Sequence, residues 1–187
     1  MENNHNFEIV PGGVTTAAGF LAGAACAAIK KVNKPDVALI YSSVPAAAAG
    51  VFTLNRVKAA PVVVSMKRLE GGSARAVVVN SGNANACNGT QGMKDALAMT
   101  AEAATALDIP ADGVLVASTG VIGQKMPMEK VLTGIREAVG QVSPYGGNHV
   151  AQAIMTTDTF SKEAAVRLML GGKTVTIGGT AKGSGMI

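Results

Sequence analysis

Runs of apolar residues bounded by turn residues predict a chain in which strands alternate with helices. The clearest strand is predicted at residues 75–80, whose three consecutive valines are typical of a strand buried on both faces. Residues 37–41 form a similar run between Pro35 and a pair of serines. Shorter apolar runs predict further strands at residues 51–54, 114–117, 164–170 and 174–177, the last two joined by a turn at Gly171-Gly172.

Apolar residues at helical spacing predict the helices. One helix runs from about Met93 to Leu107 and ends before Pro110, and another opens at Pro127 and closes at Gly140. A third helical stretch is expected near residues 149–155, and residues 61–66 fit either a strand or the start of a short helix. The alternation indicates an α/β or α+β layered sandwich, with residues 1–187 as one main α/β unit.

The composition of the chain argues against some classes of function. Hydrophobic residues make up 48% of the chain but aromatic residues only 3%, which suits close packing of helices on a sheet. The net charge of +4 is scattered, and the small basic clusters at residues 30–34 and 67–68 do not form a surface that would follow a nucleic-acid backbone. The Ala-rich run at residues 17–29 is too short to span a membrane and fits a buried strand or loop. Without a signal peptide at the start, a cytoplasmic location is the simplest expectation.

Few residues are present that usually hold metals or activate nucleophiles. Cys26 and Cys87 are the only cysteines and His5 and His149 the only histidines, so neither zinc-ligand spacing nor a disulfide framework is present. No G-x-S-x-G elbow and no phosphate-binding glycine motif occurs. If the protein performs nucleophilic chemistry, its base is expected to be a group other than histidine.

Three polar segments are candidates for a site. Residues 118–120, Ser-Thr-Gly, follow a predicted strand as a loop whose N–H groups and hydroxyl could hold an oxyanion or a phosphate, although a simple turn is the more frequent explanation for such a sequence. Residues 80–89 form a second such loop, in which the asparagines are expected to satisfy backbone groups. In residues 156–159, Thr-Thr-Asp-Thr, capping and ligand binding both remain open.

The Gly-rich segment at residues 178–187 adds one more candidate. Lys182 within it has no evident ion-pair partner in sequence, so it either reaches a substrate carboxylate or stays solvated. The segment is expected to form a loop, and a chain that stops directly after such a loop suggests a cleaved precursor.

Four segments in this order resemble one family. Residues 80–87, 117–123, 154–159 and 181–187 are similar to motifs in the α chain of the ornithine acetyltransferases of arginine biosynthesis, also called glutamate N-acetyltransferases. The resemblance extends from Val10 to Ile187. It implies an N-terminal-nucleophile-like acyltransferase architecture that a β chain completes, and a precursor that cuts itself before a threonine.

The resemblance also implies a reaction. The new N-terminal threonine of the β chain would take the acetyl group from N2-acetyl-L-ornithine and pass it from an acetyl-threonine to L-glutamate, its own α-amine serving as base. No metal or other cofactor is required, and the assembly is a dimer of αβ pairs. Some members of the family also accept acetyl-CoA.

The resemblance assigns roles to four residues of this chain. Thr119 and Gly120 supply the oxyanion hole, while Thr156 and Lys182 contact substrate, with Lys182 paired to its carboxylate. Two alternatives to the transferase are an N-terminal-nucleophile amidase or aminopeptidase, in which water replaces glutamate, and a non-catalytic α/β module that binds a small anion through residues 118–120.

Overall fold

A computed structural model describes residues 7–29 and 32–183 of the chain. The polar start with His5, the Lys30-Lys31 pair and residues 184–187 of the Gly-rich segment lie outside the described residues. Within the described part the elements follow in the order β1 Phe7–Val10, β2 Phe20–Ala25, β3 Val37–Ala47, α1 Ala60–Leu69, β4 Ser73–Asn83, α2 Gly89–Leu107, a 3₁₀ turn Ala111–Gly113, β5 Val114–Val121, α3 Met128–Gly140, α4 Gly147–Ala153, β6 Lys162–Leu170 and β7 Lys173–Ala181.

The central sheet has four strands in the order β2-β3-β4-β5. The first two pairings are antiparallel, whereas β4 and β5 run parallel and are joined by α2. Because successive side chains of a strand point to opposite faces, β3 contributes Val37 and Leu39 to one face and Ala38 and Ile40 to the other. Both faces of the sheet are therefore apolar and both must be covered.

Helices α1, α2 and α3 cover the first face. Their small residues allow a close approach: Ala96, Ala103 and Ala138 are fully buried against the sheet. A Cβ at Gly23 of β2 would lie 2.2 Å from the Ala138 carbonyl oxygen, so α3 can pack this closely only over a glycine. The core between these helices and the sheet is therefore rich in alanine, in agreement with the low aromatic content of the sequence.

Helix α4 covers the opposite face and connects the central sheet to a second one. Val150 and Ala153 pack on Ala22 and Ala38, while strands β1, β6 and β7 form an antiparallel sheet in the order β1-β6-β7. Helix α4 contacts β6 and β7 as well as β2 and β3, and Asn148 Nδ2 donates to Glu163 Oε1 at 2.7 Å. The layered α/β class predicted from the sequence is confirmed. No helix within residues 7–29 and 32–183 is long and apolar enough to cross a membrane.

The structure corrects three local predictions. The strand expected at residues 51–54 is wrong: Val51 and Leu54 are 100% and 97% exposed, and the chain here lies outside any sheet. Residues 118–120, expected to form a loop, belong to β5, and β4 continues beyond residue 80 to Asn83, because the two segments pair with each other in parallel. Residues 178–181 lie in β7 rather than in a loop, because β6 pairs with them throughout.

Other boundaries shift without changing the class of element. The ambiguous residues 61–66 belong to helix α1, the Ala-rich run contains β2, and β1 was not predicted. The predicted helices are present as α2, α3 and α4.

Candidate functional site

A cavity of about 120 Å³ opens where β4 and β5 end. Since parallel strands bring their carboxyl ends to one edge of a sheet, segments far apart in sequence meet there. The start of β3 reaches the same edge because β3 is antiparallel to β4, with Val37 opposite Asn80. The loop after α4 lines the cavity as well. The cavity is lined by Lys34, Asp36, Ser81, Gly82, Gly120, Met155, Thr156 and Thr157.

Gly82 and Gly120 are paired residues of β4 and β5, and both line this cavity. Gly120 has a φ of +138°, and a Cβ there would lie 2.3 Å from the Gly82 carbonyl carbon and 2.5 Å from Asn83 N. Both the backbone conformation and the contact therefore require glycine. Thr119, its neighbour, pairs with Ser81, is partly exposed and is not among the residues that line the cavity.

Asparagines hold the loops that follow β4 and β5 against each other. Asn83 Nδ2 donates to the carbonyl oxygens of Gln124 and Lys125 at 3.1 and 3.3 Å, and Asn88 Nδ2 donates to Gln124 O at 2.9 Å. Asn83 Oδ1 accepts the N–H of Asn85 at 2.8 Å. These asparagines satisfy backbone groups, as the sequence indicated, and they fix the ends of both strands.

Two hydrogen bonds attach the loop after α4 to the central sheet. Ser81 Oγ donates to the Ala153 carbonyl oxygen at 2.6 Å, and Lys34 Nζ donates to the Met155 carbonyl oxygen at 3.3 Å. Thr156, which follows Met155, lines the cavity together with Gly120. Two of the four predicted site residues thus line one space, although they are far apart in sequence.

Asp158 connects this loop to the segment that carries Lys182. Its carboxylate is 2% exposed and accepts hydrogen bonds from the N–H of Thr156, the N–H of Gly183 and Lys162 Nζ, the last at 2.9 Å. The hydrogen bond from Lys162 is the main reason that the pKa of Asp158 lies well below its usual value. Lys182 itself is partly exposed, donates to Gly183 O at 2.7 Å and does not line the cavity.

Asp36 and Lys34 line the cavity but were not predicted. Asp36 is 5% exposed, and its two carboxylate oxygens accept the N–H groups of Ala27 and Ile29, each at 2.7 Å. Burial outweighs these bonds and raises the pKa of Asp36. The signal available in the sequence was the position of both residues directly before β3, which becomes informative only once β3 is known to run antiparallel to β4.

Residues 7–29 and 32–183 contain no cluster of three or more His, Cys, Asp or Glu side chains that could hold a metal ion. The polar groups at the cavity are instead backbone amides, hydroxyls, one lysine and one carboxylate.

The ArgJ family model matches residues 21–187 of the chain. The chain belongs to the ArgJ family. This confirms the family resemblance found in the sequence.

Two curated relatives of this ArgJ chain have the same name. The arginine biosynthesis bifunctional protein ArgJ of Symbiobacterium thermophilum is 60% identical over 182 residues, which cover 96% of this chain and 45% of the relative. Its namesake from Caldanaerobacter subterraneus is 52% identical over 180 residues, which cover 96% and 44%. The chain therefore spans a little less than half the length of the curated relatives that it matches.

Two solved structures share the fold of this ArgJ chain. The arginine biosynthesis bifunctional protein ArgJ of Bacillus halodurans is 40% identical with a TM-score of 0.89, and the match covers 98% of this chain and 97% of the solved one. Ornithine acetyltransferase from Mycobacterium tuberculosis, solved in complex with ornithine, is 42% identical with a TM-score of 0.91, and 97% of each chain is covered.

Proposed function

We propose that this chain is the α part of an acetyltransferase of arginine biosynthesis that moves an acetyl group from N2-acetyl-L-ornithine to L-glutamate. Membership of the ArgJ family supports the reaction class, and the relative solved with bound ornithine supports the substrate. The bifunctional name of the curated relatives is compatible with a second activity that uses acetyl-CoA.

The observation that carries the proposal is the pairing of Gly82 with Gly120 at a cavity that Thr156 also lines. An oxyanion is stabilised best by donors that are already in place before charge develops. The backbone at Gly120 meets this requirement, because its strand pairing and the asparagine contacts beyond it leave little freedom to move. Thr119 and Gly120 are therefore proposed as the oxyanion hole.

The proposed reaction needs a nucleophile from a second chain. The hydroxyl of an N-terminal threonine attacks the acetyl carbonyl carbon of N2-acetyl-L-ornithine, while the α-amine of the same threonine accepts the hydroxyl proton. Thr119 and Gly120 stabilise the negative charge on the carbonyl oxygen. The tetrahedral intermediate collapses as the C–N bond breaks, and the proton passes to the departing amine of ornithine. An acetyl-threonine ester remains.

The second half of the cycle reverses these steps. The α-amine of glutamate attacks the ester carbonyl carbon, the same oxyanion hole holds the charge, and the threonine hydroxyl is regenerated with its proton as N-acetylglutamate leaves. No redox group or metal takes part in this sequence. Thr156 and Lys182 are proposed to bind the substrate, with Lys182 on its carboxylate. Support for Thr156 is its place at the cavity, and support for Lys182 is its attachment to the same loop through Gly183 and Asp158.

A second chain from the same precursor is the proposed partner, in a dimer of αβ pairs located in the cytoplasm. The match covers 97% of the chain in each of the two solved relatives but only 45% and 44% of the two curated ones. This difference supports a division of the relatives' product into two chains. It also agrees with a site whose described residues supply charge stabilisation and binding groups but no evident activated nucleophile.

The test is an assay of the complete precursor product with N-acetylornithine, with and without glutamate. Acetylglutamate formed only with glutamate is the expected result, and an intact-mass spectrum should show a second polypeptide that begins with threonine. Release of free acetate at the same rate without glutamate would identify an amidase instead. Absence of any acetyl release, with a single uncut polypeptide in the spectrum, would leave an anion-binding module.

A further inference from the structure

Asp158 links the two segments that carry the proposed substrate-binding residues. It accepts the N–H of Thr156 on Oδ2 at 3.2 Å and the N–H of Gly183, the residue after Lys182, on Oδ1. Both contacts use backbone groups. The Thr156 hydroxyl and the Lys182 ammonium group are therefore left available for a substrate as far as Asp158 is concerned.

Further hydrogen bonds fix the position of the Asp158 carboxylate. Lys162 Nζ donates to Asp158 Oδ1 at 2.9 Å and also to the Phe160 carbonyl oxygen at 3.0 Å, so the lysine fixes the carboxylate from the β6 side. Thr180 Oγ1 in turn donates to Lys162 O at 3.0 Å, which connects β7 to the same point. Hydrogen bonds to an ionised carboxylate are stronger than those between neutral groups, and this carboxylate is almost fully buried.

Close approach between the two segments depends on Gly183. A Cβ at this position would lie 2.8 Å from Asp158 Oδ1, too close for the N–H to keep its present contact. An alanine at position 183 would therefore loosen the connection at one end while leaving both charged side chains of the Asp158–Lys162 ion pair in the protein.

We propose that Asp158 is a positioning residue for substrate binding: its carboxylate sets the distance between Thr156 and Lys182 and thereby the fit of N-acetylornithine. The inference rests on the proposed function and deepens it. Because Asp158 acts through binding residues and not through the oxyanion hole, its loss should weaken substrate binding more than it slows the bound substrate's reaction.

The test compares KM and kcat for N-acetylornithine in the assembled enzyme, with the second chain co-expressed so that the result does not depend on precursor cleavage. Asp158→Asn should raise KM about tenfold and change kcat less than about threefold. Gly183→Ala should raise KM in the same direction by a smaller factor. The matched control is Asp108→Asn, an exposed aspartate at the end of α2, which should change neither constant.

The dissociation constant of ornithine, which has no acetyl group to donate, gives a second readout by calorimetry. It should rise with KM in both variants. An unchanged KM in Asp158→Asn and Gly183→Ala, or a loss confined to kcat, would overturn the positioning role while leaving the transferase intact. If the unaltered enzyme forms no acetylglutamate at all, the proposed function fails instead, so the two failures are distinguishable.

Discussion

Gly120 lies so close to Gly82 that a Cβ on Gly120 would come within 2.3 Å of the Gly82 carbonyl carbon. The two residues are partners in the parallel pairing of β5 with β4, and both have positive φ, +138° and +102°. The two residues both line the cavity, and they contribute only backbone to it because neither has a side chain.

Replacing Gly120 by alanine should damage both stability and activity. The disfavoured φ costs about 1–3 kcal/mol, and the clash with β4 adds to it. We expect a clear drop in the denaturant midpoint of the assembled protein and loss of most acetyl transfer. The matched control is Gly140→Ala at the exposed end of α3, where a Cβ meets nothing within 4 Å. That variant should be neutral or slightly more stable, and an equal loss in both would contradict the argument.

Thr119→Ala should act on the reaction and spare the fold. Thr119 is partly exposed at the end of β5, so its truncation opens no core cavity. Removal of one oxyanion donor costs about 2.7–4 kcal/mol of transition-state stabilisation, which lowers kcat by roughly two orders of magnitude or more. Steady-state kinetics measures the change, and size-exclusion chromatography should show unaltered assembly. Unchanged turnover would remove Thr119 from the oxyanion hole.

The sequence showed where the two strands at the site end. The valine run of β4 and the apolar start of β5 were visible, so the polar residues after them were expected to form loops at the ends of two strands. Their role as paired strand residues was not predictable, since small polar residues such as Ser81 and Thr119 are as common in turns as in strands. Parallel pairing across α2 decides between the two structures, and that pairing is a tertiary contact.

Sequence patterns could not predict the roles of Lys34, Asp36 and Asp158 for a different reason. Each lies close in sequence to a predicted element, but its role depends on partners in other segments, such as Met155 for Lys34 and Gly183 for Asp158. The exposed segment at residues 51–54 was mispredicted for the same reason: its apolar pattern suits a strand, yet no neighbouring strand in the described part of the chain pairs with it. Local patterns predict elements, whereas tertiary contacts decide which polar groups meet.

Two serines on neighbouring strands should respond oppositely to alanine. Ser81 Oγ donates to the Ala153 carbonyl oxygen at 2.6 Å, so Ser81→Ala leaves a buried acceptor without its donor and should cost about 1–3 kcal/mol. Ser118 Oγ is buried without a hydrogen-bond partner among the described residues, so Ser118→Ala removes an unsatisfied hydroxyl and should be neutral or stabilising. Denaturant unfolding of the assembled variants measures both. A loss of stability in Ser118→Ala equal to that in Ser81→Ala would show that the hydrogen bond from Ser81 to Ala153 does not stabilise the fold.

The pH dependence of stability should separate Asp158 from Asp36. The pKa of Asp158 is lowered in the folded state, so its ionised form stabilises the fold above the unfolded pKa of about 3.9, and this contribution is lost as the pH falls below that value. The pKa of Asp36 is raised by burial, so its contribution is fully present below about pH 3.9 and is lost as the pH rises through the folded pKa.

The measurement is the unfolding midpoint of the assembled wild type and of the variants Asp158→Asn and Asp36→Asn, between about pH 7 and pH 3. On acidification, the stability advantage of wild type over Asp158→Asn should stay constant to about pH 5 and then shrink, because Asp158 takes up a proton in the unfolded state while it is still ionised and paired with Lys162 in the folded state. The advantage over Asp36→Asn should instead grow, because protonation relieves a buried charge. The two trends have opposite signs in one pH range and one assay, so a general acid effect on the assembly cannot produce both. A constant advantage over Asp158→Asn down to about pH 3 would show that the ion pair with Lys162 contributes nothing to the fold.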